Sequence, residues 1–333
     1  MRAVCKAFLG IGLSSCATAL LGSPASSAAP SACERPVYLT FDTGHMQVAP
    51  FVAEVLARHQ VRATFFLANE PTRTGGTSLD EVWAPWWRAL AEQGHAFGSH
   101  TFDHVYWLSD TADGRFLMRP SAGPQPGKSF TWTGAQYCEE LGRPAKRFED
   151  MTGQKILPLF RAAGGKTSPA LLRAAQACGY EHVGWAPAGF LGDELPSDQY
   201  PNTLLLERAL RNIRSGDILV AHLGIWSRQD PWAPAVLEPL VVGLKKKGLC
   251  FATMDSHPAY REKIQALKLK ADVCASPVKR GGDASGTCAG ATNVIDSRAR
   301  LAEQPEGLSS LPSAGASIIE SSAVGETKDI QRR

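Results

Sequence analysis

Leu39-Thr40-Phe41-Asp42-Thr43-Gly44 is an apolar, β-rich run that stops abruptly on an acid and a glycine. Taken alone, an acid in that place is as readily a helix cap as a functional group. The run is the first of a series. Short β-rich segments at 37–42, 62–67, 95–99, 157–162, 182–186, 217–222 and 249–254 alternate with helical patterns. That alternation predicts an α/β fold with a mainly parallel sheet. Ser168 followed by Pro169 predicts a helix start, and Gly179 predicts its end. A second helix is predicted from Pro231 to Lys247, with Val236, Leu240 and Leu244 on one face and Gly248 closing it. In barrels of alternating strands and helices, reactive groups gather at the C-terminal ends of the strands. On this map Asp42 ends the first strand, His100 follows the third, Arg161 ends the fourth and His222 ends the sixth.

The 333 residues are 44% hydrophobic and 20% charged, which is ordinary globular composition and excludes disorder throughout. Residues 1–29 read as a secretory signal: Arg2 and Lys6, then an apolar stretch, then small residues at Ser26 to Ala29. Glycines and serines interrupt the stretch, so no permanent membrane span is expected and export to the periplasm or medium is. Leu13-Ser14-Ser15-Cys16 resembles a lipoprotein box, but apolar sequence continues past Cys16, which favours simple cleavage. Cleavage would remove two cations and no acids and lower the formal charge from +3 to +1. No clustered basic surface for nucleic acid is implied. Cysteines 33, 138, 178, 250, 274 and 288 survive, an even number that permits disulfides without assigning partners, and none has CxxC spacing.

From Tyr106 to Thr133 there is no clear period, and glycines and prolines recur, so the segment reads as a long functional loop. Its aromatic residues argue against simple disorder. After Tyr260 no Phe, Trp or Tyr occurs; a short helical pattern at 262–270 gives way to Ala, Gly, Ser and Pro. The domain is therefore expected over 36–260, and 261–333 as a disordered extension that Cys274 and Cys288 could pin in part.

His100-Thr101-Phe102-Asp103-His104 spaces two imidazoles four residues apart. On a helical turn both would project from one face and could share a metal, although such pairs are common on ordinary helices. A zinc protease would need Glu directly after the first His, and Thr101 stands there.

These segments together resemble NodB-type polysaccharide deacetylases, carbohydrate esterase family 4. Thr40-Phe41-Asp42-Thr43-Gly44 is similar to that family's first motif, Thr-Phe-Asp-Asp-Gly, and His100 to His104 to its second. Arg161-Ala162-Ala163-Gly164-Gly165 follows the third motif in outline, and 216–222 ends as the last motif does, on His222. The resemblance spans residues 36–256 and implies a distorted (β/α)7 barrel that hydrolyses an N-acetyl group from an amino sugar in a glycan such as peptidoglycan. It implies His100 and His104 as ligands of a divalent metal, zinc first, with cobalt or nickel able to substitute. It implies Asp42 as the base, Arg161 as its partner and His222 as the acid. It also implies the Gly164 N–H as oxyanion donor, with Trp185 and Leu219 as an apolar wall for the acetyl methyl, positions that plain core packing explains equally well.

Two departures qualify the likeness. Thr43 replaces a metal-binding acid, leaving a neutral hydroxyl to act directly or through water. A family branch acting on muramic acid also lacks that acid, which makes its substrate a candidate. Asp193 is the nearest acid after Trp185 and could orient His222, but its register is shifted and a helix cap or turn is the simpler reading. Two alternatives stay open: a glycan-binding module on a degenerate barrel, and a deacylase for another acyl group.

Overall fold

The computed structural model describes residues 33–275. The expected signal segment, Cys16 and all but the first part of the expected C-terminal extension lie outside the described residues. Along the chain come β1 (Pro36–Asp42), α1 (Ala49–Arg58), β2 (Thr64–Leu67), α2 (Ala84–Glu92), β3 (Ala96–Ser99), β4 (Val105–Asp110), β5 (Phe116–Pro120) and β6 (Phe130–Trp132). They are followed by α3 (Gly134–Thr152), β7 (Leu159–Phe160), α4 (Pro169–Ala177), β8 (Glu181–His182), α5 (Asn202–Asn212), β9 (Ile218–His222), α6 (Glu238–Lys246), β10 (Cys250–Phe251) and α7 (Pro258–Ala275).

Every strand of the alternating series is present, as a seven-stranded parallel sheet in the order β10-β1-β2-β3-β7-β8 with β9 also on β1. β9 runs in register with β1, pairing Leu39 with Leu219 and Asp42 with His222. The sheet curls until the chain after β8 meets β9 through a Phe190–Val220 bridge, with Ala186 N–H donating to Ile218 O. This is the distorted (β/α) barrel. Alternation along each strand sorts its side chains. Leu39, Phe41 and Leu219 pack outward with Val52, Trp87 and Leu240, whereas Tyr38, Phe66, Leu159 and Ile218 fill a separate inner cluster.

Ser168 does cap α4, accepting from the Leu171 N–H at 3.0 Å. The helix expected from Pro231 opens instead with a π-helical stretch, Ala233–Leu237, before α6. Pro239 has no N–H to give to the carbonyl one turn back, and the wider turn accommodates it.

Residues 105–132 are not a long loop. β4, β5 and β6 form a three-stranded antiparallel sheet. Glycines and prolines crowd the second connection, 121–129, and Gly114 takes φ +76 in the first, which is why composition reads as loop. Val105, Phe116 and Met118 bury against Tyr137 and Leu141 of α3 and against Phe160, so the sheet is docked on the barrel.

Disulfides join Cys33 to Cys250 and Cys138 to Cys178. The first ties the chain before β1 to β10, the second ties α3 to the end of α4. Replacing Cys138 and Cys178 together by Ser opens a link across 40 residues of sequence. It is expected to cost roughly 2–4 kcal/mol, read as a lower denaturant midpoint.

Candidate active site

The histidine pair does not ride a helical turn. The chain leaves β3 and reverses, with Thr101 at φ 60° and His104 at φ 47°, both left-handed. Non-glycine residues seldom adopt that conformation, and it concentrates where a site demands a fixed geometry. Thr101 Oγ1 secures the reversal by accepting from the Val105 N–H at 2.7 Å. The imidazole centres come to 4.8 Å. His100 Nδ1 lies 2.9 Å from the Arg161 carbonyl oxygen and His104 Nδ1 2.6 Å from Ser121 Oγ. With Nδ1 of each ring engaged, Nε2 is left for the site, and His100 Nε2 stands 3.5 Å from Asp42 Oδ2. Burial lowers the His104 pKa to about 4, partly opposed by Glu70, so this ring is neutral at physiological pH.

Asp42 and Arg161 are both buried and meet directly. Arg161 Nη1 donates to Asp42 Oδ1 at 2.7 Å and to Thr40 Oγ1 at 2.8 Å, while the guanidinium lies over Phe66 at 4.3 Å. Burial is the largest influence on Asp42 and opposes ionisation. The charges of Arg161, His100 and His222 outweigh it and hold the carboxyl below its ordinary value. The β1–β9 register then sets His222 beside Asp42.

Asp193 is not a helix cap. Its Oδ2 accepts from the His222 backbone N–H at 2.6 Å, and its carboxylate lies 3.1 Å from His222 Nδ1. The loop that carries it crosses to β9 so closely that a Cβ at Gly189 would fall 2.0 Å from the Ile218 carbonyl oxygen. Burial alone would lower the His222 pKa; Asp193, followed by Asp42 and Glu194, raises it to about 10. Relative to an unfolded value near 6.5, this stabilises the fold fully at lower pH and fades as pH rises through about 10. In Asp193→Asn the alkaline limb of the pH–rate profile is expected to move down by roughly 1–3 units. An unmoved limb would break the assigned pairing.

Gly164 takes φ +65, and a Cβ there would come within 2.8 Å of the Tyr106 ring, so its backbone lies bare against the tyrosine. Trp185 lies against Gly165 and 5.6 Å from the Arg161 guanidinium. Leu219 is corrected. It packs on the outer, helix-facing side, opposite to His222, and Val220 shares the His222 face. Thr43 Oγ1 accepts from the Ala68 N–H at 3.0 Å and donates to Glu70 Oε2 at 2.6 Å. Glu70, Ser121 and Tyr106 were not singled out from sequence. Glu70 follows the second strand and meets the same end-of-strand criterion as Asp42, whereas the other two sit in the segment read as loop. Beside His222 a cavity of about 190 Å³ is lined by His45, Arg73, Asp193, Ile225 and Trp232. Trp226 is 55% exposed and carries the Arg73 guanidinium at 4.7 Å, whereas Trp232 belongs to the core.

The polysaccharide deacetylase family profile matches residues 29–183, so the chain carries a polysaccharide deacetylase domain. It is similar to the peptidoglycan-N-acetylmuramic acid deacetylase PdaA of Bacillus subtilis (strain 168), 26% identical over 67% of this chain and 71% of the relative. It is also similar to a chitooligosaccharide deacetylase of Azorhizobium caulinodans, 27% identical over 56% of this chain and 73% of the relative. Among solved structures, the fold matches the Bc1960 peptidoglycan N-acetylglucosamine deacetylase with a TM-score of 0.51 at 21% identity, over 67% of this chain and 87% of that one. A family 4 acetyl xylan esterase from Clostridium thermocellum, in complex with a cobalt ion, matches with a TM-score of 0.50 at 20% identity, over 71% and 92%.

Proposed function

We propose that this protein is an exported, metal-dependent deacetylase that hydrolyses the N-acetyl group of an amino sugar in peptidoglycan or a related glycan. The observation that carries the reading is the pairing at adjacent strand ends: Asp42 with Arg161, and His222 with Asp193, beside the Nε2 atoms of His100 and His104. A base held ionised and an acid held protonated, side by side, suit amide hydrolysis near neutral pH.

The donor set fits a divalent ion of borderline softness. Two imidazoles have their Nδ1 atoms engaged and their Nε2 atoms left over, the arrangement of histidine ligands braced from outside. Among the described residues no three His, Cys, Asp or Glu side chains form a ready-made cage, so two imidazoles are the preformed part. When bound, zinc or a similar ion would polarise the amide carbonyl and make water easier to deprotonate. Asp42 takes the proton from the attacking water, and Arg161 keeps its carboxylate ionised and aimed. The Gly164 N–H is proposed as a donor to the developing oxyanion. His222 delivers its proton to the leaving amine nitrogen, with Asp193 fixing the ring through Nδ1. Trp185 and Val220 are proposed as the apolar wall for the acetyl methyl.

Trp226, half exposed and packed against His45 and Arg73 of the cavity lining, is proposed to offer a face for a sugar ring. Both disulfides suit an oxidising compartment and hence export, and among the described residues no helix is long and apolar enough to cross a membrane. The names of the curated relatives direct the choice of substrates. Purified protein with added zinc or cobalt is expected to release acetate from N-acetylated peptidoglycan fragments or chitooligosaccharides. Sugar binding without acetate release would favour a glycan-binding module instead, and a different acid among the products would redefine the acyl group.

A further inference from the structure

The cavity beside His222 has walls biased to one sign of charge. Two arginines line it, Arg73 and Arg228, and its one acid is Asp193, whose carboxylate is already committed to His222. Neither arginine forms an ion pair among the described residues, whereas Arg58, Arg143 and Arg161 all do. His45, in the same wall, is neutral at physiological pH, because burial first and the Arg73 charge second lower its pKa. Cations therefore outnumber anions around a hollow of about 190 Å³, and the field inside it favours a negative guest.

The two arginines differ in what they have left to give. Arg228 is buried and spends its donors on the protein: Nε on the Asp230 carbonyl at 2.8 Å, Nη1 on that of Leu195 at 2.7 Å, and Nη2 on Asn202 Oδ1 at 2.6 Å. It lends the cavity charge and little else. Arg73 makes no side-chain hydrogen bond among the described residues, and its guanidinium lies over Trp226, 4.7 Å from the ring centre. Stacking occupies the flat face of a guanidinium and leaves the N–H groups along its edge free, the arrangement suited to two-point binding of a carboxylate. The backbone that carries it is fixed. The Arg73 N–H donates to the His45 carbonyl at 3.0 Å, and Thr72 Oγ1 closes the turn on the Gly75 carbonyl at 2.6 Å.

Position decides what kind of acid could enter. His222, assigned above to the leaving nitrogen, belongs to the same wall. In an amino sugar the substituents nearest that nitrogen sit on the two neighbouring ring carbons. One of these is the anomeric carbon, taken by the glycosidic link, so an acid close to the nitrogen is carried on the other. We propose that this cavity is a subsite for a carboxylate borne there by the bound sugar, as in the lactyl ether of N-acetylmuramic acid, and that Arg73 is the residue that recognises it. The assignment rests on the deacetylase reading given above.

The test compares peptide-free peptidoglycan strands whose lactyl carboxylates are free with the same strands methyl-esterified, which keeps the size of the group and removes its charge. With metal-loaded parent protein, kcat/KM for acetate release is expected to be ~10-fold or more higher on the free acid, as for loss of a hydrogen bond to a charged group. Arg73→Gln is expected to lose that preference through KM, with the rate on the ester little changed, and Arg73→Lys to recover part of it by restoring charge without the fork. Equal rates on acid and ester in the parent, or an equal loss on both in Arg73→Gln, overturn the subsite. If neither strand releases acetate, the deacetylase reading fails on its own, and calorimetric binding decides the subsite. Tighter binding of the free acid that Arg73→Gln abolishes upholds it, and equal binding of the two strands overturns it.

Discussion

Replacing Asp42 by Asn is expected to slow acetate release by ~10²–10⁴-fold, the range for loss of a positioned general base. The amide keeps an oxygen for the Arg161 Nη1 proton that Asp42 Oδ1 now accepts at 2.7 Å, so the geometry of the pair survives while its basicity does not. The rate should therefore fall through kcat, with KM little changed. Turnover at the parent rate in a folded, metal-loaded Asp42→Asn protein would eliminate this carboxylate as the base.

The second large effect is on stability. Arg161 is fully buried, and Arg161→Met removes the cation that donates directly to Asp42, leaving His100 and His222 as the opposing charges. Breaking such a pair from one side costs about 3–5 kcal/mol, which is a large share of what a domain has. The sign of the pH dependence follows. Without Arg161, the strongest charge opposing burial is lost, and the Asp42 pKa moves up from its value in the parent protein. The variant's folded state then takes up a proton more readily than the parent's, so the deficit should shrink as pH falls into the carboxylate range. Denaturant titrations at neutral and mildly acidic pH would measure this; an equal deficit at both would mean that packing, not charge, is what Arg161 supplies.

The parallel strands were legible because each is a short apolar run between helical patterns, and runs of that kind signal themselves locally. Their lengths were not. β7, β8 and β10 keep two residues each. Asp42, Arg161 and His222 were legible as residues that end strands. The conformation of the histidine pair was not, since left-handed Thr101 and His104 run against local propensity and are held by contacts from β4 and the β5–β6 connection. Asp193 was obscured for a related reason. Its partner is 29 residues away, and its position depends on how the loop after β8 crosses to β9. Val220, by contrast, follows from counting back two residues from His222, which keeps to one face of the strand.

The antiparallel β4–β6 sheet has a consequence for how this barrel could be reused. Ser121, which braces His104, comes just after β5, and Tyr106, which covers the Gly164 backbone, comes from β4. Trimming residues 105–132 to make a minimal scaffold would therefore take the brace from one proposed ligand and the cover from the proposed oxyanion donor. In engineering terms the appendage is inheritable only with the catalytic rim, and a graft of the seven strands alone would carry Asp42, Arg161 and His222 but leave the ring of His104 free to turn.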